Sequence, residues 1–138
     1  APYRTIGRIG KFAGVDSEVY VGGDTADAVR QFEQQKLRVD NARARCELAW
    51  AYALAGRREE AHAERQSAQA LATGVYPYDV ALVHAALNER DAPLAALERA
   101  FQERDSTMVN LRHDPRLDAV RGDTRYQRLV EQMRFPQP

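Results

Sequence analysis

The chain has 138 residues, enough for one domain with a real hydrophobic core. Its 20 basic and 20 acidic residues balance to a formal net charge of +0, which argues against an extended nucleic-acid footprint, since such a footprint needs a basic excess. One cysteine, Cys46, excludes an internal disulfide framework and a cysteine-rich zinc site, and no apolar run approaches the length of a membrane span.

Hydrophobic residues make up 44% of the chain, and many of them are alanines. Alanine has the best helix propensity and fills tight helix–helix contacts. Alternating runs rich in Val, Ile and Thr are nearly absent, so the expected class is all-α, with little or no sheet. The basic residues are nearly all Arg, with Lys only at Lys11 and Lys36, a bias read as the composition of a GC-rich bacterial genome. The first residues, APYRTIGRIGKF, lack the apolar core of a signal peptide. The expected compartment is the cytoplasm; the start of a mature exported protein, or a piece of a longer chain, is the alternative.

In chain order, Gly22-Gly23-Asp24 reads as a turn with Asp24 capping a helix that carries Ala28 and Phe32. Next, Leu48, Ala49 and Tyr52 stand at i, i+1 and i+4 of a helix that Gly56 closes. A returning helix comes next in AGRREEAHAERQSAQ (55–69). Glu59 and Glu60 lie near its positive end, and Ala61 and Ala68 lie on its inner face. Val80, Ala81 and His84 repeat the first pattern, with Asn88 replacing Gly56. LNERDAPLAALERAF (87–101) then returns, with Pro93 in a first turn. Ala28, Ala61 and Pro93 thus recur at an interval of about 33 residues, the mark of a repeat. Phe32, Arg65 and Leu97 stand four positions later, and Gln35, Ala68 and Ala100 seven later. In the tail, Asp114 and Asp123 are expected helix caps, with Pro115 at a first helical position. From Thr124 to Arg134, one stripe holds Tyr126, Leu129, Val130 and Met133. Together with Leu117 and Val120, Tyr126 and Leu129 are expected to bury the end of the last repeat, which an open stack needs.

This pattern resembles the tetratricopeptide repeat (TPR), a helix–turn–helix unit of ~34 residues. The resemblance rests on Leu48, Ala49, Tyr52, Gly56, Ala61 and Ala68, then on Ala81, Asn88, Leu97 and Ala100, and on Gly23, Ala28 and Phe32 in the first unit. Pro93 stands where the family prefers Ala, and Arg65 where a large apolar residue is usual. Residues 105–135, with Asp114-Pro115-Arg116-Leu117-Asp118, Val120-Arg121, Asp123, Arg125-Tyr126 and Leu129, resemble the segment that closes many bacterial TPR proteins. The resemblance implies a right-handed α-α superhelix in a single domain, 1–138, with units at about 8–41, 42–74 and 75–105 and a capping segment at 106–138. It implies a non-catalytic scaffold that binds a protein or peptide partner in a concave groove. The alternative is a C-terminal regulatory or sensory module of a larger bacterial enzyme or transcription regulator. The family's groove positions fall on Arg43, Cys46, Trp50 and Leu54, on Tyr78, Leu82 and Ala85, and on Ser17 and Tyr20. An aromatic pair beside an arginine suits protein contact. The plain alternative is that Trp50 packs against the preceding unit or lies under the C-terminal helix. The Lys/Asn set with which chaperone-binding TPR domains clamp a terminal carboxylate is not matched, because Cys46 and Trp50 take two of its places.

No residue pattern supports catalysis. His62, His84 and His113 lie far apart without an HExxH pattern, and Gly7, Gly10 and Gly14 are not followed by the lysine of a phosphate loop. Cys46 reads as a structural thiol and His84 as a packed helix histidine. The mixed charge run RREEAHAER (57–65) reads as a solvated surface of weak ion pairs. The chain is therefore read as no enzyme, with no cofactor, no metal site and neither nucleic acid nor membrane as a partner. An uncapped first unit would expose an apolar end, which leaves room for a homodimer.

Overall fold

A computed structural model describes residues 11–12, 15–16, 25–71 and 74–136. The chain divides into two compact units, Ala1–Val75 and Tyr76–Pro138. The first holds β1 (Lys11–Phe12) and β2 (Val15–Asp16), paired antiparallel with Lys11 opposite Asp16 and Phe12 opposite Val15. It continues with α1 (Thr25–Arg38), α2 (Ala42–Leu54) and α3 (Arg58–Ala70). The second holds α4 (Pro77–Ala86), α5 (Asp91–Gln102), two 3-10 helices at Ser106–Asn110 and Pro115–Val120, and α6 (Thr124–Met133). Apart from the two-residue strand pair, the described elements are all helical. The expected Asp24 cap and the groove positions Ser17 and Tyr20 lie outside the described residues, while Lys11–Phe12 and Val15–Asp16, within the place of the first repeat's front helix, pair as strands instead.

Two helices are apolar nearly all round, and such helices must be central. In α2 every residue from Cys46 to Ala53 is buried, and α1 and α3 both pack on it. In α4 every residue from Pro77 to Val83 is buried, beneath α5 and the second 3-10 helix. The outer helices are amphipathic. Ala61 and Ala68 on α3 are fully buried, as is Ala49 on α2, small side chains that let two helix backbones approach. On α1, Ala28 and Phe32 are fully buried, and on α5, Leu94, Leu97 and Ala100 are. The residues aligned by the repeat register are therefore mostly interior, with Arg65 and Gln35 only half-buried.

Three helices end in the same way. At α2, the Arg57 amide donates to the Tyr52 carbonyl (2.8 Å) and Gly56 to Ala53 (3.1 Å), with Gly56 at φ +80. At α4, Glu89 donates to His84 (3.1 Å) and Asn88 to Ala85 (3.0 Å), with Asn88 at φ 61. At α5, Asp105 donates to Ala100 (2.9 Å) and Arg104 to Phe101 (3.2 Å), with Arg104 at φ 57. This paired closure satisfies carbonyls that the helix leaves open, and it requires a left-handed residue. Glycine adopts that conformation freely, asparagine tolerates it, and arginine is strained in it by roughly 1–2 kcal/mol.

The strain at Arg104 places Asp105 where it serves two helices. Its Oδ2 accepts from the Tyr78 amide at the start of α4 (3.1 Å). Its Oδ1 accepts from the Thr107 amide (2.9 Å) and from the Thr107 hydroxyl, capping the first 3-10 helix. Tyr76, at the N-cap of α4, provides no side-chain cap of its own, so the cap comes from a residue far along the chain.

Candidate functional site

The groove positions named from the sequence lie largely in the interior. Cys46 and Trp50 are 2% exposed, Leu82 1% and Tyr78 0%. Arg43 and Leu54 are half-buried. The Trp50 ring packs edge-on against Phe32 of α1, with centroids 6.5 Å apart and planes at 82°. Trp50 thus takes the plain alternative, packing against the preceding helix in the interior. Tyr78 is likewise turned inward: its hydroxyl donates to Asp114 Oδ2 at 2.7 Å. Sequence reasoning passed over two further buried acids, Glu47 (0% exposed) and Asp79 (2%).

Tyr52 is a second inward hydroxyl. It donates to Glu33 Oε2 on α1 (3.0 Å), and Arg57 stacks over its ring at 4.5 Å. Burial, then the Glu33 hydrogen bond, pushes the Tyr52 phenol up to about 12. Burial is also the leading cause that raises Tyr78 and Tyr126 above the usual phenol value. A raised phenol pKa means the folded chain keeps protons that the unfolded chain gives up. Stability is therefore full below about pH 10 and falls as pH rises through the folded values. Absorbance titration at 295 nm should show Tyr52 ionising late and together with loss of helix, and Tyr52→Phe should flatten part of that alkaline loss. An unchanged alkaline unfolding profile in Tyr52→Phe would count against this assignment.

The tail is tied together by two copies of one device, Asp-x-Arg. Asp114 Oδ1 accepts from the Arg116 amide (3.0 Å) and so caps the start of the second 3-10 helix. The Arg116 guanidinium returns to both carboxylate oxygens, at 2.8 and 2.7 Å. Asp123 repeats this at the start of α6 with the Arg125 amide (2.9 Å) and side chain, and Arg125 also reaches Asp91 of α5 (2.8 Å). Hydrogen bonds from Arg125 hold the Asp123 carboxyl below the usual range. Between the copies, Arg121 donates to the Arg112 carbonyl (2.8 Å), the Asp114 carbonyl (2.7 Å) and the Tyr126 hydroxyl (2.7 Å). Tyr126 in turn donates its own proton to the Leu111 carbonyl. Leu117, Val120, Tyr126 and Leu129 are buried, while Val130 and Met133 are half-buried. These hydrogen bonds tie the segments of the tail to one another and to α4 and α5.

Among the described residues, no group of three or more His, Cys, Asp or Glu side chains could hold a metal ion. None of the described helices is long and apolar enough to cross a membrane. His84 is half-buried, with Nδ1 2.8 Å from Glu89 Oε2.

A concave surface of about 280 Å³ lies between α5 and α6. Glu98, Phe101 and Gln102 form its α5 wall, and Arg128, Leu129 and Gln132 its α6 wall, with Arg125 beside them. Leu129 is buried and Phe101 half-buried, while Glu98, Gln102, and Arg128 are exposed. Gln132 is exposed at the end of the α6 wall. Glu98, Phe101 and Gln102 stand at i, i+3 and i+4 of α5, and Arg125, Arg128, Leu129 and Gln132 at i, i+3, i+4 and i+7 of α6, one stripe on each helix. The sequence marked Leu129 as a capping residue but gave no sign that Phe101 stands across from it.

Fold and site together define a helical protein made of helix–turn–helix pairs and closed by short 3-10 helices and a final helix. No protein-family model matches the chain, and no curated protein or solved structure matches it.

Proposed function

We propose that the chain is a non-catalytic scaffold that binds a protein or peptide partner, with its helix pairs stacked as a TPR-like right-handed superhelix. The observation that carries this reading is the groove between α5 and α6. It combines a half-buried aromatic and a buried leucine with exposed charged and amide side chains, the mixture found where proteins contact one another. The superhelical arrangement is supported by the recurring interior positions Ala28, Ala61 and Pro93 and by the repeated helix closures at Gly56 and Asn88. The contact surface is thereby moved from Trp50 and Tyr78, which are interior, to α5 and α6.

The test is photo-cross-linking in the producing cell, with a benzophenone side chain at Gln132, which is exposed on the groove wall. A discrete adduct that disappears in Phe101→Ala supports the reading. Adducts that are absent, or unchanged by Phe101→Ala, remove it.

A further inference from the structure

Resting on that reading, the geometry points to one kind of occupant for the α5–α6 groove: we infer that it seats an amphipathic helix of the partner, basic on one flank and acidic on the other. Three observations lead there. First, each wall is a helical stripe, Glu98–Phe101–Gln102 on α5 and Arg128–Leu129–Gln132 on α6. Two helices side by side offer the trough into which a third helix lays its i, i+3, i+4, i+7 anchors. Second, about 280 Å³ lies below the ~300–1,000 Å³ of pockets that enclose small ligands. The space accommodates a few side chains of a larger body. Third, the walls carry opposite charge. Glu98 and Arg128 are exposed, and among the described residues neither is in an ion pair. Arg125 adds no free charge, because Asp91 (2.8 Å) and Asp123 (3.1 Å) already hold it.

The apolar floor is narrow, essentially Phe101 and Leu129. The occupant therefore needs a thin leucine-type stripe, not a broad one. A basic residue of the helix faces Glu98 while an acidic one faces Arg128. Turning the helix end for end exchanges its flanks, so the charges also fix its direction, and complementary charge acts here mainly as a specificity device.

The probe is a stapled helical peptide with leucines at i, i+4 and i+7, lysine on one flank, glutamate on the other and a nitroxide at its N-terminus. It is titrated into the full chain and followed by NMR. Shifts confined to α5 and α6 are expected, with the nitroxide broadening one end of the groove. Arg128→Glu alone should weaken binding roughly fivefold, the size expected from turning one exposed pair into a repulsion. The double variant Glu98→Lys/Arg128→Glu should restore affinity and move the broadening to the opposite end. Both positions are exposed, so the fold tolerates the changes. Shifts elsewhere, no shifts, or broadening that stays at the same end in the double variant would overturn the inference. If the cross-linked partner still depends on Phe101 while the peptide fails, the helical occupant falls and the scaffold reading stands.

Discussion

Replacing Arg116 with methionine is expected to destabilise the chain by about 3–5 kcal/mol in chemical denaturation, the usual result of breaking one side of a buried ion pair. The side chains of Arg116 and Asp114 are only 8% and 1% exposed, and they meet at 2.7 Å. Burial by itself lowers the Arg116 guanidinium, but the hydrogen bond and charge of Asp114 outweigh it and leave the guanidinium raised. Methionine fills much of the same volume and leaves the Asp114 carboxylate buried with the Tyr78 hydroxyl and one amide for company. A carboxylate so placed is costly unless it is paired. The double variant Asp114→Asn/Arg116→Met separates charge from packing. Asparagine keeps the cap through its one oxygen, can donate from Nδ2 to the Tyr78 hydroxyl oxygen in place of accepting from it, and carries no charge to strand. The double variant should therefore recover at least half of the single variant's loss. A loss below about 1 kcal/mol for Arg116→Met, or strictly additive effects in the pair, would show that the network contributes little.

The sequence makes legible those features that one residue type decides locally. Gly56 and Asn88 close helices because few other residues accept a left-handed backbone, and Asp114 and Asp123 cap because a short acceptor before a helical run has that use. Arg104 closes α5 by the same geometry, yet arginine hides it, because the reward lies one residue on, at Asp105, which is held so as to cap α4 as well. That cap joins residues 27 positions apart, a distance no local pattern covers. The burial of Cys46, Trp50, Tyr78 and Leu82 was hidden for a related reason. Amphipathic helices announce their wet face, but α2 and α4 have almost none, so periodicity could not tell an inward Trp50 from an outward one. The α5–α6 groove needs two stripes from distant segments, and of its lining the sequence singles out only Leu129, as a capping residue.

Trp50→Ala is expected to cost ~3–5 kcal/mol, the range for removing a buried aromatic, because the indole is 2% exposed and packs edge-on against Phe32. The loss should appear as a lower denaturant midpoint in far-UV circular dichroism, since this is the chain's one tryptophan and the variant has no indole to report. That cost decides how a partner assay must be read. A Trp50→Ala chain that no longer captures a partner has lost its fold before any contact, so the lost capture says nothing about a groove at α2. Trp50→Phe keeps an aromatic against Phe32 and most of the volume, so it should lose less than half as much. If Trp50 is purely interior, partner capture by Trp50→Phe should equal that of the unaltered chain at temperatures where both are folded. A Trp50→Ala loss below about 1 kcal/mol, accompanied by lost capture, would return Trp50 to the contact surface and displace Phe101 from it.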